Sequence, residues 1–398
     1  NSSIIHHMTN TAQSEQTHFD VIVIGVGSMG AATCYYLAKQ GVRVLGIEQF
    51  DIPHELGSHA GQSRIIRKAY FEHPDYVPLL EQAYQNWQEL EGRTGHPVYF
   101  KTGLLYIGQP ESELMKGVRE SAARYQIEMR ELSDWQLNAA YPQFHVPEGY
   151  EVLLEPDAGF ITPEKAILLY VEQAIHYGAA IHTKEKISGW DQTRTGIVVT
   201  TDKGKYSAGK VILTAGAWAG KFLPGLASKL TVTRQTLAWM TPQEWKPFEF
   251  GHFPCWVIAD AAKPSIYYGF PVLPVGTFGG PVGLKIGHHV QGVATDPDAV
   301  NRNVDQEEAD NLIQALNQFI PGAYASTHAL KTCLYTNTPD ENFILDFLPG
   351  TDNQVIVAAG FSGHGFKFAS VVGEIMADLA LKGKTELPIG FLGLGRFL

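Results

Sequence analysis

The segment from Phe19 to Glu48 constrains the fold of this 398-residue chain more than any other. Phe19-Asp20-Val21-Ile22-Val23-Ile24 is short, β-branched and apolar on both faces, as a buried parallel strand requires. It runs directly into Gly25-Val26-Gly27-Ser28-Met29-Gly30. Ala31–Gln40 then reads as a helix closed by Gly41, and Val42–Glu48 as a second strand. Strand, glycine loop, helix and strand make one right-handed βαβ unit. Gly25 permits the tight turn, Gly27 lets the backbone approach a pyrophosphate, and Gly30 allows close helix–strand packing. The helix N-terminus, through Ser28 and Met29, presents free N–H groups and a positive dipole end to phosphates. Glu48, at the end of the second strand, is placed to accept hydrogen bonds from a ribose. An acid there argues against a 2′-phosphate, but the motif does not separate NAD from FAD.

Elements of the same kind recur near the C-terminus, where Gln354–Ala359 repeats a buried strand entering a glycine loop, Gly360-Phe361-Ser362-Gly363-His364-Gly365. Between the two lies mixed material. Helices are expected at Tyr76–Glu91, Pro163–Tyr177 and Glu307–Phe319, from apolar residues at helical spacing. Thr231–Ile286 is rich in aromatics, Gly and Pro with short strand-like runs, which suits an antiparallel sheet. Dinucleotide-type elements at both ends with strand-rich material between imply interleaved domains.

Composition narrows the function. Lys plus Arg number 30 against 41 Asp plus Glu, a net charge of −11, which disfavours nonspecific binding to nucleic acid or anionic membranes. Three cysteines, Cys34, Cys255 and Cys333, are too few and too odd for a disulfide framework, so a reducing, cytoplasmic compartment is expected. No run approaches eighteen apolar residues. Residues 1–16 read as a tag or disordered N-terminus.

Other motifs are more ambiguous on their own. Tyr206–Trp218 is a strand running into small, Gly-flanked residues, an ordinary buried strand or a second cofactor-contacting segment. In Gly57-Ser58-His59-Ala60-Gly61-Gln62-Ser63-Arg64-Ile65-Ile66-Arg67, two arginines three apart share one side if helical. Guanidinium is a natural carboxylate clamp, although on spacing alone a solvated basic face is the simpler explanation. The histidines show no metal-ligand spacing.

These segments together resemble the monomeric sarcosine oxidase family, which includes N-methyltryptophan oxidase. The resemblance runs from about Thr17 to Lys384. It rests on the glycine fingerprint, Gly57-Ser58-His59…Arg64-Ile65-Ile66-Arg67, Tyr267-Tyr268-Gly269-Phe270-Pro271, Gly283-Leu284-Lys285-Ile286-Gly287-His288-His289, Cys333-Leu334-Tyr335 and Gly360–Phe368. It implies an α/β plus α+β fold: a Rossmann-like FAD domain (17–95, 145–222 and 325–390) interleaved with a substrate domain on an antiparallel sheet (96–144 and 223–324). It also implies FAD held as a thioether by Cys333, with Gly25, Gly27, Ser28, Met29, Gly30, Glu48, Ser58, Gly363 and Gly365 around it. Arg64 matches a residue near the flavin ring that favours its reduced, anionic form, and Lys285 one that helps O₂ accept electrons. The substrate carboxylate is expected between Arg67 and Lys367, and Tyr268, His289 and Tyr335 are expected to line the substrate pocket.

The activity so implied is oxidation of a secondary amino acid such as sarcosine to an imine with release of hydrogen peroxide, by a monomer with no nucleic-acid or membrane partner. N-methyltryptophan, pipecolate and fructosyl amino acids are alternative substrates. An NAD-dependent dehydrogenase and a non-catalytic flavin-binding protein are the rivals of a different class. Two departures stand out. The family commonly carries a second histidine where this chain has Ala60, and an aromatic where it has His288.

Overall fold

The computed structural model describes residues 17–397, so the expected tag over 1–16 lies outside the described residues. An eight-stranded sheet has His18–Ile24 near its centre, parallel to Val44–Ile47 on one side and to Lys205–Leu213 on the other. Val355–Ala359 runs parallel beyond Lys205–Leu213. The apolar character of His18–Ile24 on both faces now has its reason. Val21 and Val23 pack with the helices Ser28–Lys39, Pro163–His176 and Ala369–Lys382, while Ile22 and Ile24 join the core on the opposite face.

A nine-stranded, largely antiparallel sheet forms the second layer. Thr231–Thr241 pairs with both Leu284–His289 and Ser326–Asn337, and Ser265–Phe270 lies against the far edge of Leu284–His289. Two of its strands, Glu151–Glu155 and Ser326–Asn337, come from segments expected in the cofactor domain (145–222 and 325–390). Strand pairing places both in this sheet. Ser326–Asn337 is paired along its length with Thr231–Thr241, a partner that a strand-like sequence does not specify.

The arginine pair departs from a helical arrangement. Arg64–Ile66 is a strand, not a helix, paired with Gly159–Ile161 in a small three-stranded sheet. Successive side chains of extended backbone alternate, so Arg64 and Arg67 diverge instead of sharing a side. The β-branched Ile65-Ile66 pair between them favours the strand.

Candidate active site

The register of the antiparallel sheet brings the chemistry-bearing side chains to one face. On Leu284–His289, alternation places Lys285, Gly287 and His289 on the same side. Their cross-strand partners on Ser265–Phe270 are Phe270, Tyr268 and Ile266. On the other flank Trp239 pairs with Lys285 and Leu237 with Gly287. Cys333 and Tyr335 of the next strand pack against Leu237 and Trp239. The residues between them face away: Leu334 packs with Ala217 and Trp218, and His288 stacks on Tyr267 at 4.6 Å. His288 is therefore remote from the chemistry of this face.

This face borders a cleft that continues to the glycine loop, enclosing about 1700 Å³ of empty space with its mouth included. Gly25, Gly27, Ser28, Met29 and Glu48 line one end, and Thr214–Ala217 stand beside them. Ser58, Arg64, Arg67, Tyr268, His289, Cys333, Tyr335, Gly363, Gly365 and Lys367 line the remainder. Two expected residues do not. Gly30 lies in the helix against the loop, where a Cβ would stand 1.8 Å from Gly25 O. Lys285 is 1 % exposed and sits behind the wall.

At the glycine end, Glu48 is fixed by the backbone. Its Oε2 accepts from Val26 N at 3.0 Å and its Oε1 from Phe50 N at 3.0 Å. Burial raises its pKa despite those bonds. Gly25 has φ +91°, the left-handed region in which glycine is free of strain. The His59 ring lies across from Gly27 and edge-on to His54 at 5.0 Å. Burial drives its pKa down to about 3, with His54 and Arg64 adding to the effect, so the imidazole is neutral.

In the middle of the cleft, Arg64 donates to the carbonyls of Ala60 (2.5 Å), Ser58 (2.9 Å) and Ser63 (2.9 Å). Lys285 Nζ donates to Gly61 O and Ser63 O at 2.6 Å each, with the Phe270 ring centroid 4.7 Å away. Burial, followed by the nearby Arg64 charge, holds the Lys285 pKa well below its usual value. Cys333 is also buried, which raises its thiol pKa, while Arg64, Lys285 and Arg302 pull the other way.

At the far end, Lys367 Nζ donates to His364 O at 2.8 Å and approaches Tyr70 Oη at 3.5 Å. His364 Nε2 lies 2.9 Å from Glu341 O, an acceptor only, so that nitrogen carries the hydrogen. Nδ1 then accepts from the Tyr70 hydroxyl at 2.5 Å. Burial, reinforced by Arg67, lowers the Lys367 pKa to about 7. Arg67 is paired within the protein: its Nη2 donates to Glu72 Oε1 (2.7 Å) and Oε2 (2.9 Å).

Glu72, Tyr70 and His364 escaped the sequence reading as site residues. Glu72 had a signal, a carboxylate five positions after Arg67, but Arg67 was expected to meet a substrate carboxylate and not one from the protein itself. Tyr70 and His364 are distant in sequence, and only the fold brings them together.

The residue set has the form of a dinucleotide site. The helix N-terminus and glycine turn suit a pyrophosphate, and a Cβ at Gly27 would project into the cleft with only His59 near it. Two buried polar atoms in the cleft-lining residues, His59 Nε2 and Thr336 Oγ1, have no partner in the protein. Buried polar groups are normally hydrogen-bonded, so these atoms fit a bound polar group. The family profile described as FAD dependent oxidoreductase matches residues 20–379.

The chain belongs to this FAD-dependent oxidoreductase family.

Within the family, the chain is 41 % identical over 385 residues to a monomeric sarcosine oxidase of Bacillus sp. (strain NS-129), covering 96 % of this chain and 97 % of that protein. An N-methyl-L-tryptophan oxidase of Yersinia pestis (strain Pestoides F) is 33 % identical over 381 residues, 95 % of this chain and 99 % of that one. Among solved structures, NikD, an unusual amino acid oxidase essential for nikkomycin biosynthesis, superposes with TM-score 0.82 at 26 % identity, covering 95 % and 98 % of the two chains. Glycine oxidase from Geobacillus kaustophilus shares the fold of this oxidoreductase at TM-score 0.79 and 20 % identity, covering 96 % of this chain and all of that one. The two-sheet fold and the FAD family expected from sequence are thus both found. Among the described residues no helix is long and apolar enough to cross a membrane, and no cluster of His, Cys, Asp or Glu is arranged to hold a metal ion.

Proposed function

We propose that the protein oxidises a secondary, N-methyl amino acid, sarcosine being the simplest, to an imine that water hydrolyses, while O₂ is reduced to hydrogen peroxide. With sarcosine the sum is sarcosine plus O₂ plus water giving glycine, formaldehyde and hydrogen peroxide. One observation carries this reading: the buried cations Arg67 and Lys367 lie in the same cleft as the Tyr268–Tyr335–His289 wall. That is a carboxylate seat beside an aromatic amine seat, in a chain 41 % identical to a sarcosine oxidase.

Bound FAD supplies the acceptor for the two electrons and the hydrogen that leave the substrate, and passes the electrons to O₂. The chain's own residues do the rest. Lys367, with Nζ oriented by His364 O, attracts the substrate carboxylate, and Arg67 is adjacent to share it. Burial lowers the His289 pKa, so this ring is held neutral and adds no positive charge beside the substrate amine. Lys285, fixed by Gly61 O and Ser63 O, holds its amino head near Arg64, where it can donate to negative charge that develops beside it. Cys333 is the residue that would carry the cofactor as a thioether, in a setting where three cations oppose the effect of burial on its thiol.

A peroxide-coupled screen of sarcosine, N-methyl-L-tryptophan, L-pipecolate, a fructosyl amino acid and glycine tests the reading. Peroxide from N-methyl amino acids and little from glycine is expected. Turnover of primary amines alone, or of none of the set, would overturn it. A spectrum without flavin bands would favour the nicotinamide dehydrogenase alternative.

A further inference from the structure

Lys285 and His289 point from the same face of one strand, and the position between them, Gly287, carries no side chain. Gly287 is buried, and its backbone is not in the left-handed region that would require glycine. Conformational freedom therefore does not explain the residue. Space does. The ring of Tyr268, its cross-strand partner, occupies the volume a side chain would fill. A Cβ built on Gly287 would stand 2.4 Å from Tyr268 Cζ, 2.4 Å from its Oη and 2.8 Å from its Cε1.

We propose that Gly287 is a specificity-determining residue: its missing Cβ lets the Tyr268 ring lie flat on the sheet, which sets the depth of the substrate cavity beside His289. The inference rests on the function proposed above. Ordinary carbon contacts lie near 3.5–4.0 Å, so any side chain at 287 pushes the ring tip outward by roughly 1 Å or more. The Gly287 backbone lies close against the ring, and Tyr268 and His289 both line the cleft. A ring pushed off Gly287 is expected to move toward that cleft, into the space the substrate needs. It also leaves the neighbourhood of Tyr335, whose hydroxyl interacts with that of Tyr268 and lies 3.5 Å from His289 Nδ1. Tyr335 has a matching seat, since a Cβ on Gly363 would stand 2.2 Å from its ring. Both tyrosines of the wall thus rest on glycines.

The test compares Gly287→Ala, Tyr268→Ala and the double variant, each as holoenzyme. The first readout is the ratio of kcat/KM for N-methyl-L-leucine over sarcosine. The second is the ratio of dissociation constants for 4-methylpentanoate and acetate, followed by perturbation of the flavin absorbance. Gly287→Ala is expected to shift both ratios against the larger ligand by about tenfold, the lower end of the scale for one methylene in a hydrophobic pocket. Tyr268→Ala should shift them the other way, and in its background Gly287→Ala should change little, a coupling expected only of residues in contact. Equal effects on large and small ligands, or an alanine effect that persists without the tyrosine ring, would overturn the inference. If Gly287→Ala fails to fold while the double variant folds, the steric conflict is confirmed. If neither folds, unchanged ratios in Tyr268→Ala alone would overturn it. A native protein that oxidises no secondary amino acid would refute the proposed function, while the carboxylate ratios would still report on cavity depth.

Discussion

Glu72 closes both of its carboxylate oxygens on Nη2 of Arg67, so a guanidinium expected to bind substrate already has an anionic partner five residues away. Both side chains are nearly buried, at 5 % and 11 % exposure. The far end of the cleft therefore holds two cations, Arg67 and Lys367, against one internal carboxylate, which leaves room for one more negative charge. This balance suits a monocarboxylate ligand.

Replacing Glu72 by Gln should make this imbalance visible. Burial alone would raise the Glu72 pKa, but Arg67, with His364 and Lys367, pulls it down to about 2. A carboxyl depressed in the folded state contributes stability above its unfolded pKa and loses it as pH falls toward 2. Glu72→Gln should therefore lower stability at pH 7 by about 3–5 kcal/mol, since it strands a buried charge. It should also flatten the loss of stability between about pH 4.5 and 2. Denaturant titrations across that range check both. Acetate should bind the variant more tightly at neutral pH, because nothing competes for Arg67.

Lys367 gives a pH dependence of opposite origin. Burial and the neighbouring Arg67 lower its pKa to about 7, so it loses its proton well before a free lysine would. A bound carboxylate favours the charged form and raises the pKa again. Between about pH 7 and 10, carboxylate binding should therefore take up a proton, and affinity should weaken as pH rises through that window. Calorimetry in buffers of different ionisation enthalpy measures the uptake, and Lys367→Met should abolish it.

Lys285 offers a test that separates two half-reactions. Its amino end is held by Gly61 O and Ser63 O and stands behind the cleft wall, apart from the carboxylate end. Loss of one fixed electrostatic group at a developing charge typically costs about 10²–10³ in rate. Lys285→Met should slow reoxidation of the reduced enzyme by O₂ by that order, with a much smaller effect on anaerobic reduction by substrate. Stopped-flow traces of the two half-reactions distinguish this outcome from equal effects on both.

What the sequence made legible follows the range of the interactions. The βαβ unit from Phe19 to Glu48 is local, and strand, loop, helix and strand stand as the glycine spacing requires. The individual strands over Thr231–Ile286 were visible because side-chain alternation is local as well. Their pairing was not, since the register that aligns Tyr268 with Gly287 and Trp239 with Lys285 joins distant segments. The arginine pair failed for a different reason: a three-residue spacing looks the same in helix and strand, and the pairing of Arg64–Ile66 with Gly159–Ile161 decides it. Glu72 was missed because an internal counterion and a solvated acid look alike in sequence. The separation of Arg64 from Arg67 follows directly from the strand, and it distributes positive charge to the middle and the far end of one cleft.

Cys333 provides the most direct test of how the cofactor is held. The thiol is 4 % exposed, packed with Leu237, Trp239 and Tyr335, yet it belongs to the cleft lining. Burial raises its pKa, and a thiol in a purely apolar pocket would stay protonated and inert. Here Arg64, Lys285 and Arg302 counter that penalty, as a cysteine that reacts as thiolate needs. Cys34 and Cys255 are controls within the same chain, since burial pushes both thiols up to about 12. Acid-precipitated native protein should remain yellow, and a tryptic flavopeptide should contain Cys333. Cys333→Ser should release all of its FAD into the acid supernatant, whereas Cys34→Ser should retain it in the pellet. A colourless pellet from the native protein would show that the cofactor is held by the glycine turn and the cleft walls alone.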